Sequence, residues 1–345
     1  MSEFKVTSIT NRDGSHGPQI CGIVTFTGSG LTLPNGALAG PRGRGIVGGG
    51  HPGPQNTMDF VEIMTTGNAQ DFGDLTTALR NIATCASSTR GIFASGQTPS
   101  TTNTIMYVTI SSSGGCNDFG DLSAAVTNSN DGCLSDNTRG IILFGSPSSL
   151  PSKSNQGSLE FITIPTTGDS SGFGELSVAR RHAASMASPT RGVFAKGKND
   201  TAGTYQRVID FVTIQTTGTA VTFGETIEGS EQSVGTGNNT RGLIAGGLTA
   251  APNTRSDTIE YLTIASEGNA QDFGNLSATK IGCSTMSNST RALIAGGWTG
   301  PSPGGINVID FVTIASTGNA TDFGDLTRGQ NVGGGLSDTH GGLAL

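Results

Sequence analysis

The chain has 345 residues, of which 54 are glycine and only 13% are charged, and its net charge is −7. Five lysines give no basic stripe to neutralise a phosphate backbone, so nucleic acid is not expected as a partner. The opening MSEFKVTSIT lacks the blocks of a secretory signal, and no apolar run reaches membrane-spanning length; synthesis in a cytosol, without Sec-type export or membrane insertion, is expected.

Taken in chain order, residues 1–19 read as a docking or linker segment, with the turn-rich NRDGSHGP at 11–18. Residues 20–34, ICGIVTFTGSGLTLP, have strand character, and their VTFTGSG looks like a shortened VTIASTG. From there the chain repeats itself. An Arg-Gly or Arg-Ala pair recurs at Arg44, Arg90, Arg139, Arg191, Arg241 and Arg291, and the series ends in Thr339-His340-Gly341. A Phe-Gly pair recurs at Phe72, Phe119, Phe173, Phe223, Phe273 and Phe323, the last four copies spaced by 50 residues. A fixed period of this length is the signature of a repeat architecture, and about 50 residues is the kelch period.

Each repeat offers four short strands. The innermost is small and apolar, as in Ala183 to Met186, and the second follows the Arg-Gly turn, as in Leu243 to Gly247. The third, Ile209 to Ile214, puts Ile209 and Phe211 on one face and Val212 and Ile214 on the other, so both faces of the sheet must be covered. The DFGDL-type stretch completes the set as an outer edge strand, its acidic residue discouraging edge-to-edge association. The fold class is therefore all-β, a propeller of four-stranded blades rather than a β-solenoid. Complete repeats run from about 44 to 338. The leftover 340–345 and the segment 20–34 suggest a seventh, shared closing blade, giving a propeller domain over 20–345; the alternative is six blades with an N-terminal arm.

Residue types that carry chemistry are scattered. The five cysteines make no CxxC pair, and Cys85, Cys133 and Cys283 recur near the same place in different repeats, where Met186 stands in another copy; buried apolar packing is expected. His16, His51, His182 and His340 have no metal-like spacing. The DFG triplets lack the rest of a kinase signature. Gly43, Gly45 and Gly48 open a β-repeat rather than a helix, which removes a dinucleotide reading. Asn68, Asp71 and Asp74 offer oxygen atoms for calcium in a spacing that fits no standard loop. No cofactor or metal is expected, and no catalytic residue. The periodic arginines suit a structural ring, satisfying turn carbonyls or acids near Asp74, Asp121, Glu175, Glu225 or Asp325.

The succession GELSVARRHAASMASPTRGVFAKG (174–197) resembles a kelch blade junction. More specifically, TRGLIAGG (240–247), IDFVTIASTGNATDFGDL (309–326) and the opening ITNRDG (9–14) resemble kelch-like structural proteins of marine tailed-bacteriophage virions. Departures are the single Trp298 and the degenerate glycine pairs at Ser95-Gly96, Gly145-Ser146 and Lys196-Gly197. The resemblance implies a non-enzymatic virion component of capsid, tail or fibre, present in several copies and contacting other virion proteins. The alternative is an adhesin for a host glycan or receptor. Its binding surface would be the variable connections between second and third strands, near 49–57, 97–103, 146–157, 198–207, 248–257 and 298–307, which carry His51, Tyr205, Arg207, Arg255 and Trp298.

Overall fold

The computed structural model describes residues 31–32, 38–39, 43–127, 132–147, 157–249, 254–300 and 304–343. They belong to two units, Met1–Gly40 and Pro41–Leu345. In the first, the described strands Leu31–Thr32 and Leu38–Ala39 pair antiparallel, Leu31 opposite Ala39.

The second unit is a propeller of six blades, each an antiparallel sheet of four strands. In the fourth blade the order from axis to rim is Ala184–Ala187, Arg191–Ala195, Val208–Thr213 and Val221–Glu225. The second blade adds a two-residue fifth strand, Ser146–Pro147, beside Asn117–Thr127. Small residues line the axis, β-branched and aromatic residues fill the second and third strands, and the acidic DFGD-type strand forms the rim.

The expected seventh blade is absent from this arrangement. The C-terminal strand Gly334–Ser337 pairs with Arg44–Gly48, Ser337 opposite Gly45 and Gly334 opposite Gly48, and so supplies the innermost strand of the first blade. The ring is then complete with six blades. The seventh turn-like tripeptide, Thr339-His340-Gly341, runs into a 3-10 turn at Gly341–Leu343 instead of a further strand. Within the proposed closing segment, Leu31 and Thr32 pair with residues 38–39; residues 20–30, 33, 34, 344 and 345 lie outside the described residues, as do 1–19.

The core consists of six apolar clusters, one at each junction between neighbouring blades. The third strand serves two of them, as its alternation requires: Ile209 and Phe211 pack with Ile244 and Leu262 of the fifth blade, while Val212 and Ile214 pack with Leu134 and Phe173 of the third. The glycine of the Arg-Gly pair makes room for this packing. A Cβ at Gly192 would lie 2.5 Å from Leu134, and one at Gly242 would lie 2.3 Å from the sulfur of Met186. In the sixth blade the glycine becomes Ala292, and the fifth blade carries the smaller Thr236 where its neighbours present Leu134 and Met186.

The cysteine register differs from the expected one. Cys85 opposes Ile92 and does share the position of Met186, whereas Cys133, opposite Ile142, occupies the place of Thr84, and Cys283 precedes its strand. All three are buried and outside any disulfide; Cys116 is half-buried, its thiol pushed up to about 12 by burial.

Candidate functional site: the loop face and the axial channel

Alternating strand direction sends the Arg-Gly turns and the third-to-fourth connections to one face of the ring. The second-to-third and fourth-to-first connections emerge on the other. On the first face the six arginines form a repeating contact. Each guanidinium covers the aromatic ring of its own third strand, at 4.2 Å for Arg191 over Phe211 and 4.8 Å for Arg291 over Phe311. Each also donates through Nη1 to the carbonyl of an isoleucine in the following blade: Arg90 to Ile164 at 3.0 Å, Arg139 to Ile214 at 3.1 Å, Arg191 to Ile264 at 3.1 Å, Arg241 to Ile314 at 2.8 Å. Arg44 reaches Ile110, and Arg291 closes the circle on Ile63 at 3.4 Å. The partners are turn carbonyls; among the described residues Arg44 alone of the six pairs with an acid, Glu62 at 2.8 Å, and none engages the rim acids expected from the sequence.

The Phe-Gly pair makes a second ring of contacts. The N–H of Gly114 donates to the Phe72 carbonyl of the preceding blade at 2.8 Å, and Gly67 does the same to Phe323. A Cβ at Gly73 would lie 2.4 Å from the Gly114 carbonyl oxygen, so the close approach requires glycine. Asn68, a candidate calcium ligand, accepts from the N–H of Asp325 in the neighbouring blade, while Asp71 and Asp74 stand exposed. Among the described residues no three His, Cys, Asp or Glu side chains converge as a metal site.

The axial channel is lined by all six innermost strands and encloses about 60 Å³, room for about two waters. Hydroxyl groups stitch its wall: Thr84 donates to the Gly335 carbonyl, Ser185 to Cys133 and Thr285 to Gly235. At the Arg-Gly face the C-terminal turn enters the axis. His340 Nε2 lies 3.0 Å from the Ala86 carbonyl and 3.2 Å from Ser135 Oγ, and Gly342 donates its N–H to Nδ1. This pattern places the ring proton on Nε2. The imidazole therefore cannot take a proton from Ser135, and burial lowers its pKa to about 4.

On the opposite face the sequence-nominated residues are dispersed. Arg255 and Trp298 do meet, the guanidinium 4.1 Å from the indole centroid, so one face of that ring is already covered. Tyr205 lies beside Lys198 and its hydroxyl is 3.5 Å from Glu231. Arg207 pairs with Glu225 at the exposed rim. His51 precedes Pro52 and contacts Arg80 at 3.4 Å. The structure brings Tyr205 into a cluster that the sequence did not single out: Arg181, His182, Lys198, Asp200 and Glu231, drawn from two fourth-to-first connections and one loop.

In that cluster Glu231 lies 3.4 Å from Arg181, 3.1 Å from His182 and 3.5 Å from Lys198, and Arg181 also holds Asp200 at 2.7 Å. Burial pushes the Glu231 carboxyl up, but the His182 hydrogen bond and the surrounding cations bring it below its ordinary value. Burial lowers the His182 pKa, against the pull of Glu231. The imidazole Nδ1 faces Glu231 at 3.1 Å, and Arg181 Nη1 lies against the ring, near both of its nitrogens. The signal in the sequence was the run Arg180-Arg181-His182, whose first member instead turns inward to Asp210 at 2.9 Å.

No known family profile matches the chain, and no curated protein does.

Proposed function

We propose that the protein is a non-enzymatic structural scaffold of a phage virion, holding neighbouring proteins through the faces of a rigid six-bladed ring. The observation that carries the non-catalytic part of the reading is the occupation of its polar groups. The periodic arginines are committed to blade junctions, both nitrogens of His340 are engaged, and the axial channel holds about 60 Å³, against the several hundred Å³ typical of a small-molecule pocket. The virion part follows from the resemblance of TRGLIAGG and its companion segments to phage structural repeats.

Mass spectrometry and cryo-EM of purified particles test the proposal. A fixed stoichiometric copy number, with density in the capsid or tail wall, is the expected result. Absence from particles despite abundance in infected cells overturns it, and density confined to a distal fibre tip transfers the role to a receptor-binding adhesin.

A further inference from the structure

At one equivalent position of the third strand, on the face turned to the preceding blade, stand Asp59, Met106, Glu160, Asp210, Glu260 and Asp310. All five carboxylates are buried, which is costly for an ionised group without a compensating charge. Four have one from the chain itself. Arg180 lies 2.9 Å from Asp210, Lys196 2.7 Å from Glu260 and Lys280 2.9 Å from Asp310, and Arg328 acts electrostatically on Asp59. Met106 has no charge to compensate.

Glu160 departs from the pattern. It is 8% exposed and accepts hydrogen bonds from the Ser123 N–H at 3.3 Å, the Ser123 hydroxyl and the Ser170 hydroxyl, and it has no cationic partner among the described residues. Its cross-strand neighbour is also different. Asp59, Asp210, Glu260 and Asp310 stand opposite Asp71, Thr222, Asp272 and Asp322, whereas Glu160 stands opposite Gly172, where an added Cβ would meet nothing within 4 Å. The vacated space belongs to a solvent-open cavity of about 470 Å³, lined by Glu160 with Ser123, Phe144, Ser158, Gly172 and Thr217.

We propose that this cavity binds a primary alkylammonium group, whose nitrogen takes at Glu160 the place that Lys280 Nζ takes at Asp310 and Lys196 Nζ at Glu260. One carboxylate with two hydroxyls is a poor set for a calcium ion, which takes six to eight oxygens. It suits a single ammonium with three donors, and Phe144 offers an apolar wall to the alkyl stem. The group comes from a free amine or from a lysine side chain of a neighbouring protein. The site does not depend on the virion reading.

Calorimetric titration of the full chain with n-butylammonium chloride at constant ionic strength tests the site. Binding at one site with a dissociation constant on the order of 1 mM is expected, weakened at least tenfold by Glu160→Gln. Glu160→Met, which copies Met106, serves should the glutamine variant fail to fold. Ser95 has φ 60° where Lys196 has φ 61°, at the end of the second strand in the preceding blade. Ser95→Lys therefore delivers an internal ammonium and is expected to abolish butylammonium binding. Tighter binding of Nα-acetyl-lysinamide than of butylammonium identifies a protein lysine as the source, and the reverse order a free amine. No binding to the unaltered chain, equal binding to the Glu160 variants, or a Glu160-dependent response to calcium chloride but not to the amine overturns the proposal.

Discussion

Asp338 Oδ1 accepts the backbone N–H of Arg44 at 2.8 Å, across 294 residues of sequence. Within single turns Asp136 makes the same bond to Arg139 at 2.7 Å, Asn238 to Arg241 at 2.9 Å and Asn288 to Arg291 at 2.8 Å. The turn that the chain leaves open between its last strand and its first blade is thus rebuilt without a covalent link. Burial raises the Asp338 pKa, the Arg44 N–H offsetting part of that effect, so the folded state binds this proton more readily than the unfolded one. Stability from this group consequently falls as pH rises through the carboxyl range. Asp338→Asn keeps the acceptor and removes the charge; a higher melting temperature at pH 7 is expected. Asp338→Ala loses the bond, at about 1 kcal/mol in urea unfolding.

Because the first blade is completed by Gly334–Ser337, residues 19–34 are not needed to tie the ring. Their deletion is expected to leave the melting temperature of the propeller unchanged, whereas truncation before Gly334 abolishes the cooperative transition. A calorimetric scan of both deletions checks the pair, and a large loss from the first would restore a seventh blade.

Arg241→Ala removes a charged hydrogen bond to the Ile314 carbonyl and the stacking over Tyr261. Together these predict a loss of about 2 kcal/mol in chemical denaturation. Arg241→Lys recovers part of it, since an ammonium lacks the planar fork that serves both contacts. Unchanged stability in the alanine variant would remove the structural role of the arginine ring.

Lys196 occupies a left-handed backbone position, φ 61°, that is glycine in the fifth and sixth blades, at Gly246 and Gly296. A side chain there is disfavoured by about 1–2 kcal/mol, and the ion pair with buried Glu260 offsets it. Lys196→Gly relieves the backbone but leaves the carboxylate alone, so a net loss of about 2 kcal/mol is expected. Adding Glu260→Gln to Lys196→Gly is expected to return much of the loss, a non-additivity that a double-mutant cycle measures.

Acid should loosen the C-terminal turn. The folded pKa of His340, about 4, lies below its unfolded value of 6.5. Between these limits the unfolded chain binds more protons, so stability present at pH 7 is lost as pH falls from 6.5 toward 4, by at most about 3 kcal/mol. His182, also lowered by burial, contributes with the same sign. His340→Gln is expected to flatten the pH dependence of urea unfolding over this window.

The repeat, the strand order and the two-faced third strand were legible because each rests on a period that every copy keeps. Blade number was not, since Thr339-His340-Gly341 reads like another Arg-Gly turn until the pairing of Gly334–Ser337 with Arg44–Gly48 is known. The cations of the buried acids were illegible for a different reason. They come from the fourth-to-first connection in Arg180 and Lys280, from the end of a second strand in Lys196, and from Arg328 two residues before the Lys280 position. One energetic demand is met from three places, so no period records it. One of the degenerate glycine pairs has this origin, since Lys196 answers Glu260; at another, Ser95 donates its hydroxyl to the Val126 carbonyl. Of the nominated loop residues only Arg255 and Trp298 converge, since loop contacts depend on which blades lie side by side.

The arginine hydrogen bonds between blades all run forward and the glycine ones all run backward, each blade giving its guanidinium to the next and receiving a glycine N–H from that same neighbour. Every junction is accordingly heterologous, with a leading and a trailing surface that never meet their own kind. Closure then depends on the rotation per junction rather than on any one blade. A fragment of three consecutive blades would carry one surface of each type, and two such fragments could satisfy each other head to tail. The covalent chain thus acts mainly to raise the local concentration of parts that already recognise one another.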